Sequence, residues 1–316
     1  MTVPLTLVGA RLHWRWVLVA VLCAAAYYYI MYRTSDEKTL AEQTLSAYGK
    51  GGRVLLGLVC VWFIWLCGWL SDRSALVFVQ TQTTPYTGLL LLALAAWTAK
   101  HGIRAVVRCG AVLLPLVLLL EGVVLVGSAP GVKTEWLAPF GDLRQGLLFL
   151  PLLTVPTVAR YYKTTRNKTD RPALWLLTGG ILALAASVIT AGCLSPHIAA
   201  EQMSFYTLAQ SVSLFGTVER FEALISAACL VGYFLLCALL LCTVRELLSM
   251  LLPKLPEQKI WLYPPAALAA VISGALPLWI FALGAAIFCG IFPVLTQGIV
   301  ALKKDGKNTE KTRKSC

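Results

Sequence analysis

Fifteen acidic residues are scattered along a chain of 316, and those that interrupt apolar stretches are where chemistry has to be sought. Glu219-Arg220-Phe221-Glu222 opens the longest apolar run. On a helix Glu219 and Glu222 share one face, while Arg220 points elsewhere and can bridge to another helix. Two carboxylates so close couple their protonation, which suits proton sensing, and a helix N-terminus favours both as anions. The plainer use of the same residues is an interfacial charge cluster that fixes helix depth. Glu121, within Leu118-Leu119-Leu120-Glu121-Gly122, is either a proton or cation site or a carboxylate that is hydrated or bonded to a neighbouring helix. Asp72-Arg73 also breaks an apolar run. Adjacent helical residues point about 100° apart, so each needs a partner on another helix or an aqueous pocket. Two further places carry hydroxyls where backbone can be exposed. Thr81, Thr83, Thr84 and Pro85 form a short link between apolar runs, and Pro151 and Pro156 bracket Leu152-Leu153-Thr154-Val155. A proline removes a backbone donor and frees carbonyls, which either kinks a helix or builds a discontinuous one around a substrate.

The candidate ligand-binding residues are therefore Glu219, Arg220, Glu222, Glu121, Thr84 and Thr154. No catalytic set accompanies them. His13, His101 and His197 lie far apart, and no nucleophile elbow, zinc-protease motif or phosphate-binding loop occurs. The ten cysteines lie mostly inside apolar runs, with no Cys-x-x-Cys pair. They read as small hydrophobes, so neither a metal nor a cofactor is expected.

The elements that must position these residues follow from hydropathy. The chain is 58% hydrophobic and 13% charged, with a mean hydropathy of +0.75, about half the charge fraction of a soluble domain. Apolar runs near 20 residues without period-2 alternation exclude a barrel, and spanning helices satisfy every backbone group internally. Nine such segments are expected, at 12–31, 54–79, 86–103, 106–126, 145–162, 173–195, 219–250, 261–277 and 279–301. The last two share one stretch too long for a single crossing, so Gly274 to Pro277 marks a hairpin. Residues 196–218 carry an amphipathic middle (Met203, Phe205, Leu208, Val212, Leu214), which reads as an interfacial helix, a re-entrant lid or a plain loop. The fold class is thus all-α, a polytopic bundle over 1–302. A basic tail, 303–316, reads as disordered and drawn toward anionic membrane lipid.

The net charge of +12 suggests nucleic acid in a soluble protein, but its distribution explains it otherwise. Of the 27 Lys and Arg residues, 21 fall in alternate connections: 33–53, 100–108, 160–171, 245–259 and the tail. With nine crossings these lie on one side, which the positive-inside rule makes cytoplasmic, leaving the N-terminus outside.

Several stretches in this order resemble the spore germination permease family, the B subunits of nutrient germinant receptors, within the amino acid–polyamine–organocation superfamily. They are Tyr48-Gly49-Lys50, Thr84-Pro85, His101-Gly102-Ile103 with Arg108, Leu137-Ala138-Pro139-Phe140 and, most distinctive, Gly216-Thr-Val-Glu219-Arg220-Phe-Glu222-Ala. The resemblance covers roughly residues 38 to 301. It implies a ten-helix LeuT-like inverted-repeat fold, from which this chain departs by beginning at the family's second helix. It also implies a subunit that senses a small, amino acid-like nutrient beside A and C subunits in the spore inner membrane, with little or no transport. The alternatives are a proton-coupled amino-acid transporter and a degenerate, non-binding membrane scaffold.

Overall fold

A computed structural model describes residues 14–33, 38–79, 86–137, 153–162, 172–194, 204–211, 221–252, 263–273 and 278–315. Every regular element among them is helical. In chain order they are α1 (Trp14–Arg33), α2 (Leu40–Tyr48), α3 (Lys50–Val79), α4 (Tyr86–Lys100), α5 (Ile103–Ser128), α6 (Thr154–Ala159), α7 (Pro172–Cys193), α8 (Ser204–Ser211), α9 (Phe221–Leu251), α10 (Tyr263–Ser273), α11 (Leu278–Ala285) and α12 (Phe292–Ser315). A π-helical segment, Ala286–Ile291, joins α11 to α12. Four stretches, Lys50–Ser74, Ile103–Gly131, Ala223–Leu251 and Ile280–Lys303, are long and apolar enough to cross a membrane. Val17–Met31, Gly88–Lys100 and Thr178–Cys193 are shorter apolar helices.

Of the fifth expected segment, 145–162, only 153–162 is described, and it contains α6. The hairpin expected at Gly274 to Pro277 lies outside the described residues. The amphipathic stretch 196–218 contains α8, which packs on α5, α7 and α9 with Phe205, Leu208 and Ala209 buried. The backbone of α12 stays helical to Ser315, so the basic stretch begins as a continuation of the last helix. Lys and Glu are good helix formers, and an existing helix spares them the cost of nucleation.

Local signals set the ends of α2. Thr39 Oγ1 accepts the Glu42 amide at 3.2 Å, and Glu42 Oε2 accepts the Thr39 amide at 3.0 Å, a complete capping box. Gly49, at φ +57°, ends the helix in a conformation that a side chain would strain. Gly52 then lets α3 start against α2, since a Cβ there would lie 2.7 Å from the Thr44 carbonyl oxygen.

The centre of the bundle is the antiparallel pair α3–α9. The Cys67 and Cys237 thiols each donate to the other's carbonyl, at 3.6 and 3.8 Å. An aromatic column joins α3 to α11: Trp69 stacks on Phe281 at 4.4 Å, and Trp62 on Phe288 at 5.6 Å. Gly284 admits the Trp62 ring. On the flank α1 packs against α7, where Gly180 receives Val21.

Specific bonds draw the cation-rich connections to one end. Arg245 Nη1 donates to the carbonyls of Ala99 and Lys100, both at 3.0 Å. Leu40 N donates to Arg160 O at 2.9 Å, Tyr162 and Thr243 share a hydroxyl contact at 3.2 Å, and Lys303 Nζ reaches Ala47 O at 2.6 Å. At the opposite end, Lys133 N donates to Gly192 O at 2.8 Å. Thus α1, α4, α6, α9 and α12 run toward the cationic end, and α3, α5 and α7 run away from it.

Candidate functional site

Two buried polar clusters stand out, and each contains one residue singled out in the sequence, Glu121 in the first and Thr154 in the second. The first lies between α5 and α9. Glu121 is 5% exposed, and its Oε1 has no hydrogen-bond partner among the described residues. Its carboxylate is within electrostatic reach of Cys229 on α9. Ser226, one turn before Cys229, carries a buried hydroxyl that is likewise unpartnered among the described residues. Ser226 and Cys229 lie one turn apart on α9, so the structure sets Glu121 against this stripe of α9. A carboxylate in such surroundings costs several kcal/mol unless it is protonated or paired.

Glu219, Arg220 and Thr84 lie outside the described residues, as does the side chain of Glu222. Asp72 and Arg73 were expected to need partners elsewhere. The Arg73 guanidinium lies over the Trp69 ring, 5.8 Å from its centroid, so it extends the aromatic column, and no ion pair to it occurs among the described residues.

The second cluster contains Thr154, and its origin is Pro293. Proline has no N–H, so the helix leaves the carbonyl of Cys289, four residues earlier, without its usual donor, and the ring crowds that carbonyl. The helix responds by widening: Phe292 N bonds Ile287 O, five residues back, closing the π-helical turn. Side chains from two other helices satisfy the released carbonyl. Tyr27 Oη on α1 donates to Cys289 O at 2.6 Å, and Thr157 Oγ1 on α6 does so at 2.7 Å. These two hydroxyls are 3.3 Å apart, and Thr157 also reaches Leu153 O in its own helix at 2.8 Å. The Cys289 thiol approaches Thr154 Oγ1 at 3.7 Å. Beside them Tyr161 is buried, edge-on to Phe63 at 6.0 Å, and its hydroxyl has no hydrogen-bond partner among the described residues.

Thr154 is thus buried within a junction of α1, α6 and the π-helical turn. Tyr27, Thr157, Cys289 and Pro293 were missed. The signal was present in Pro293, which stands inside an apolar run just as Pro156 does, but its hydroxyl partners are 136 and 266 residues away in sequence. Among the described residues no three His, Cys, Asp or Glu side chains gather to hold a metal ion.

Comparison with known proteins finds no family profile that matches the chain and no curated protein that matches it.

Proposed function

We propose that this chain is an integral membrane protein of the germination-permease type. It binds a small, amino acid-like nutrient and signals through A and C subunits, with little or no transport, and its cationic end faces the cytoplasm. The observation that carries the reading is a symmetry of contacts. Exchanging α1 with α7, α2 with α8, α3 with α9, α4 with α10, and α5 with the α11–α12 helix leaves much of the packing unchanged. The pairs α1–α7, α3–α9 and α4–α10 map onto themselves. The pair α3–α10 maps onto α9–α4, α2–α3 onto α8–α9, and α2–α12 onto α8–α5. Partners in the exchange run in opposite directions wherever a bond fixes both. Two inverted halves of one permease produce this pattern, and their binding sites lie near the midplane beside interrupted helices. The interrupted element here is the π-helical turn, against which α6 packs, and the buried carboxylate is Glu121.

Germination of a deletion strain on a panel of amino acids, sugars and ions tests the proposal. Loss of response to at least one nutrient, restored by the intact gene, is expected, together with background uptake of that nutrient into proteoliposomes. Normal germination across the panel would leave only the scaffold reading. Glu121 favours one competitor, a proton-coupled amino-acid transporter; uptake that collapses with a protonophore would establish it in place of the sensor.

A further inference from the structure

We infer that the corner between α4 and α5 binds the phosphate headgroup of an anionic phospholipid. This rests on the chain's lying in a membrane, though not on its sensing anything. Lys100, His101, Arg104 and Arg108 are all exposed there. Lys100 Nζ stands 5.4 Å above the ring of Trp97, and His101 Nδ1 lies 3.1 Å from the Trp97 carbonyl oxygen. Trp97 is 64% exposed, at the level where amphipathic rings meet headgroups. The carbonyls that end α4 are already served by Arg245. The three cations of the corner are not needed for capping, and no ion pair holds Lys100, Arg104 or Arg108 to a carboxylate among the described residues.

Two apolar stripes lead away from this corner. On α5, Arg104 and Arg108 continue at helical spacing into Val112, Leu116 and Leu119, all exposed. On α4, Leu90 and Leu94 continue to Trp97 in the same way. From Arg108 to Leu119 is eleven residues, about 16 Å of helix. That matches one leaflet, half of a hydrocarbon core about 30 Å thick. Cations at the head of a stripe one acyl chain long fit a phospholipid, whereas a soluble phosphate would make no use of the stripe.

The test uses the full chain purified in detergent, with native mass spectrometry against phosphatidylglycerol and phosphatidylcholine. Each direct charge-assisted bond to a bound phosphate contributes at least about a fivefold preference for anionic lipid. The triple variant K100Q/R104Q/R108Q should therefore lose the preference by at least about a hundredfold, and R104Q/R108Q by at least about twenty-five-fold. The control K38Q/K50Q/R53Q, with as many cations removed from another cationic segment, should keep it. An equal loss in the control would reduce the effect to a diffuse cationic rim and overturn the site. So would unchanged binding in both corner variants, and so would displacement of bound lipid by millimolar inorganic phosphate. Recovery of the chain in the soluble fraction after lysis would instead refute the membrane reading, which is scored separately.

Discussion

The carbonyl of Cys289 accepts from Tyr27 and Thr157 because Pro293 cannot donate to it, and this makes a double-mutant cycle decisive. In Tyr27→Phe the carbonyl keeps Thr157 at 2.7 Å, and in Thr157→Val it keeps Tyr27 at 2.6 Å. Either single change removes one bond from a carbonyl that holds two, worth about 0.6 kcal/mol for side-chain bonds inside membrane bundles. The double variant leaves a buried carbonyl with neither hydroxyl, which costs about 1–3 kcal/mol more. The cycle should therefore show the double variant destabilised beyond the sum of the singles by at least about 1 kcal/mol. Pro293→Ala restores an amide four residues after Cys289, so in that background the excess should vanish. Reversible unfolding in mixed micelles, followed by circular dichroism as dodecyl sulfate rises, reads all of these. Additivity within about 0.3 kcal/mol, or an excess that persists in the Pro293→Ala background, would refute the claim that proline, π-turn and hydroxyls form one arrangement.

Glu121→Gln keeps the side-chain volume while removing a charge that burial penalises, so the melting temperature should hold or rise while nutrient response is lost; a clear drop in melting temperature would show that the carboxylate is structural. Gly180→Leu places a side chain where Val21 already sits, since even a Cβ there would collide with Val21 Cγ1. It should destabilise by about 1–3 kcal/mol, with part of the loss recovered by Val21→Ala, in the same micelle titration. Arg245→Met strips the two carbonyls at the end of α4 of their charged donor and should cost about 1.5–3 kcal/mol. Thr39→Ala removes half of a capping box and should cost about 1 kcal/mol, without any change in lipid preference.

What the sequence could convey depended on the range of the forces involved. Helices α1, α3, α4, α5, α7 and α9 were legible, because a bilayer-length apolar run has few other solutions. The common end of the cationic connections was legible for a related reason, since charge and hydropathy alternate together along the chain. Glu121 and Thr154 were visible as polar residues within apolar runs. Their surroundings were not. That Glu121 faces Cys229, and that Thr154 lies with Cys289, depends on contacts between residues more than a hundred positions apart. The same limit hid the use of Arg73, whose partner is an aromatic ring in its own helix, set in place by Phe281. Pro293 was visible as a residue, but its consequence required knowing which hydroxyls stand opposite Cys289.

The junction at Cys289 constrains how α6 can move. Two backbone hydrogen-bond partners help to hold α6: Thr157 bonds the released carbonyl in the interior, and Arg160 O accepts the Leu40 amide at the cationic end. A displacement of α6 toward that end cannot stretch these bonds gradually, because hydrogen bonds weaken steeply once their geometry departs from the optimum. Breaking the Thr157 bond leaves Cys289 O with Tyr27 alone, so α1 and the π-helical turn stay joined while α6 departs. Breaking the Arg160 bond releases α2 at its first helical residue, just after its capping box, and Lys303 still ties the other end of α2 to α12. Movement of α6 therefore breaks discrete bonds, while the Tyr27 bond keeps α1 joined to the π-helical turn. These two anchor points of α6 lie on the α6 side of the bundle, away from the α5–α9 face that holds Glu121. Among the described residues, α9 touches the end of α6 directly where Thr243 meets Tyr162 at 3.2 Å. Removing one oxygen there, as in Tyr162→Phe, should weaken the link between the two clusters while leaving each of them intact.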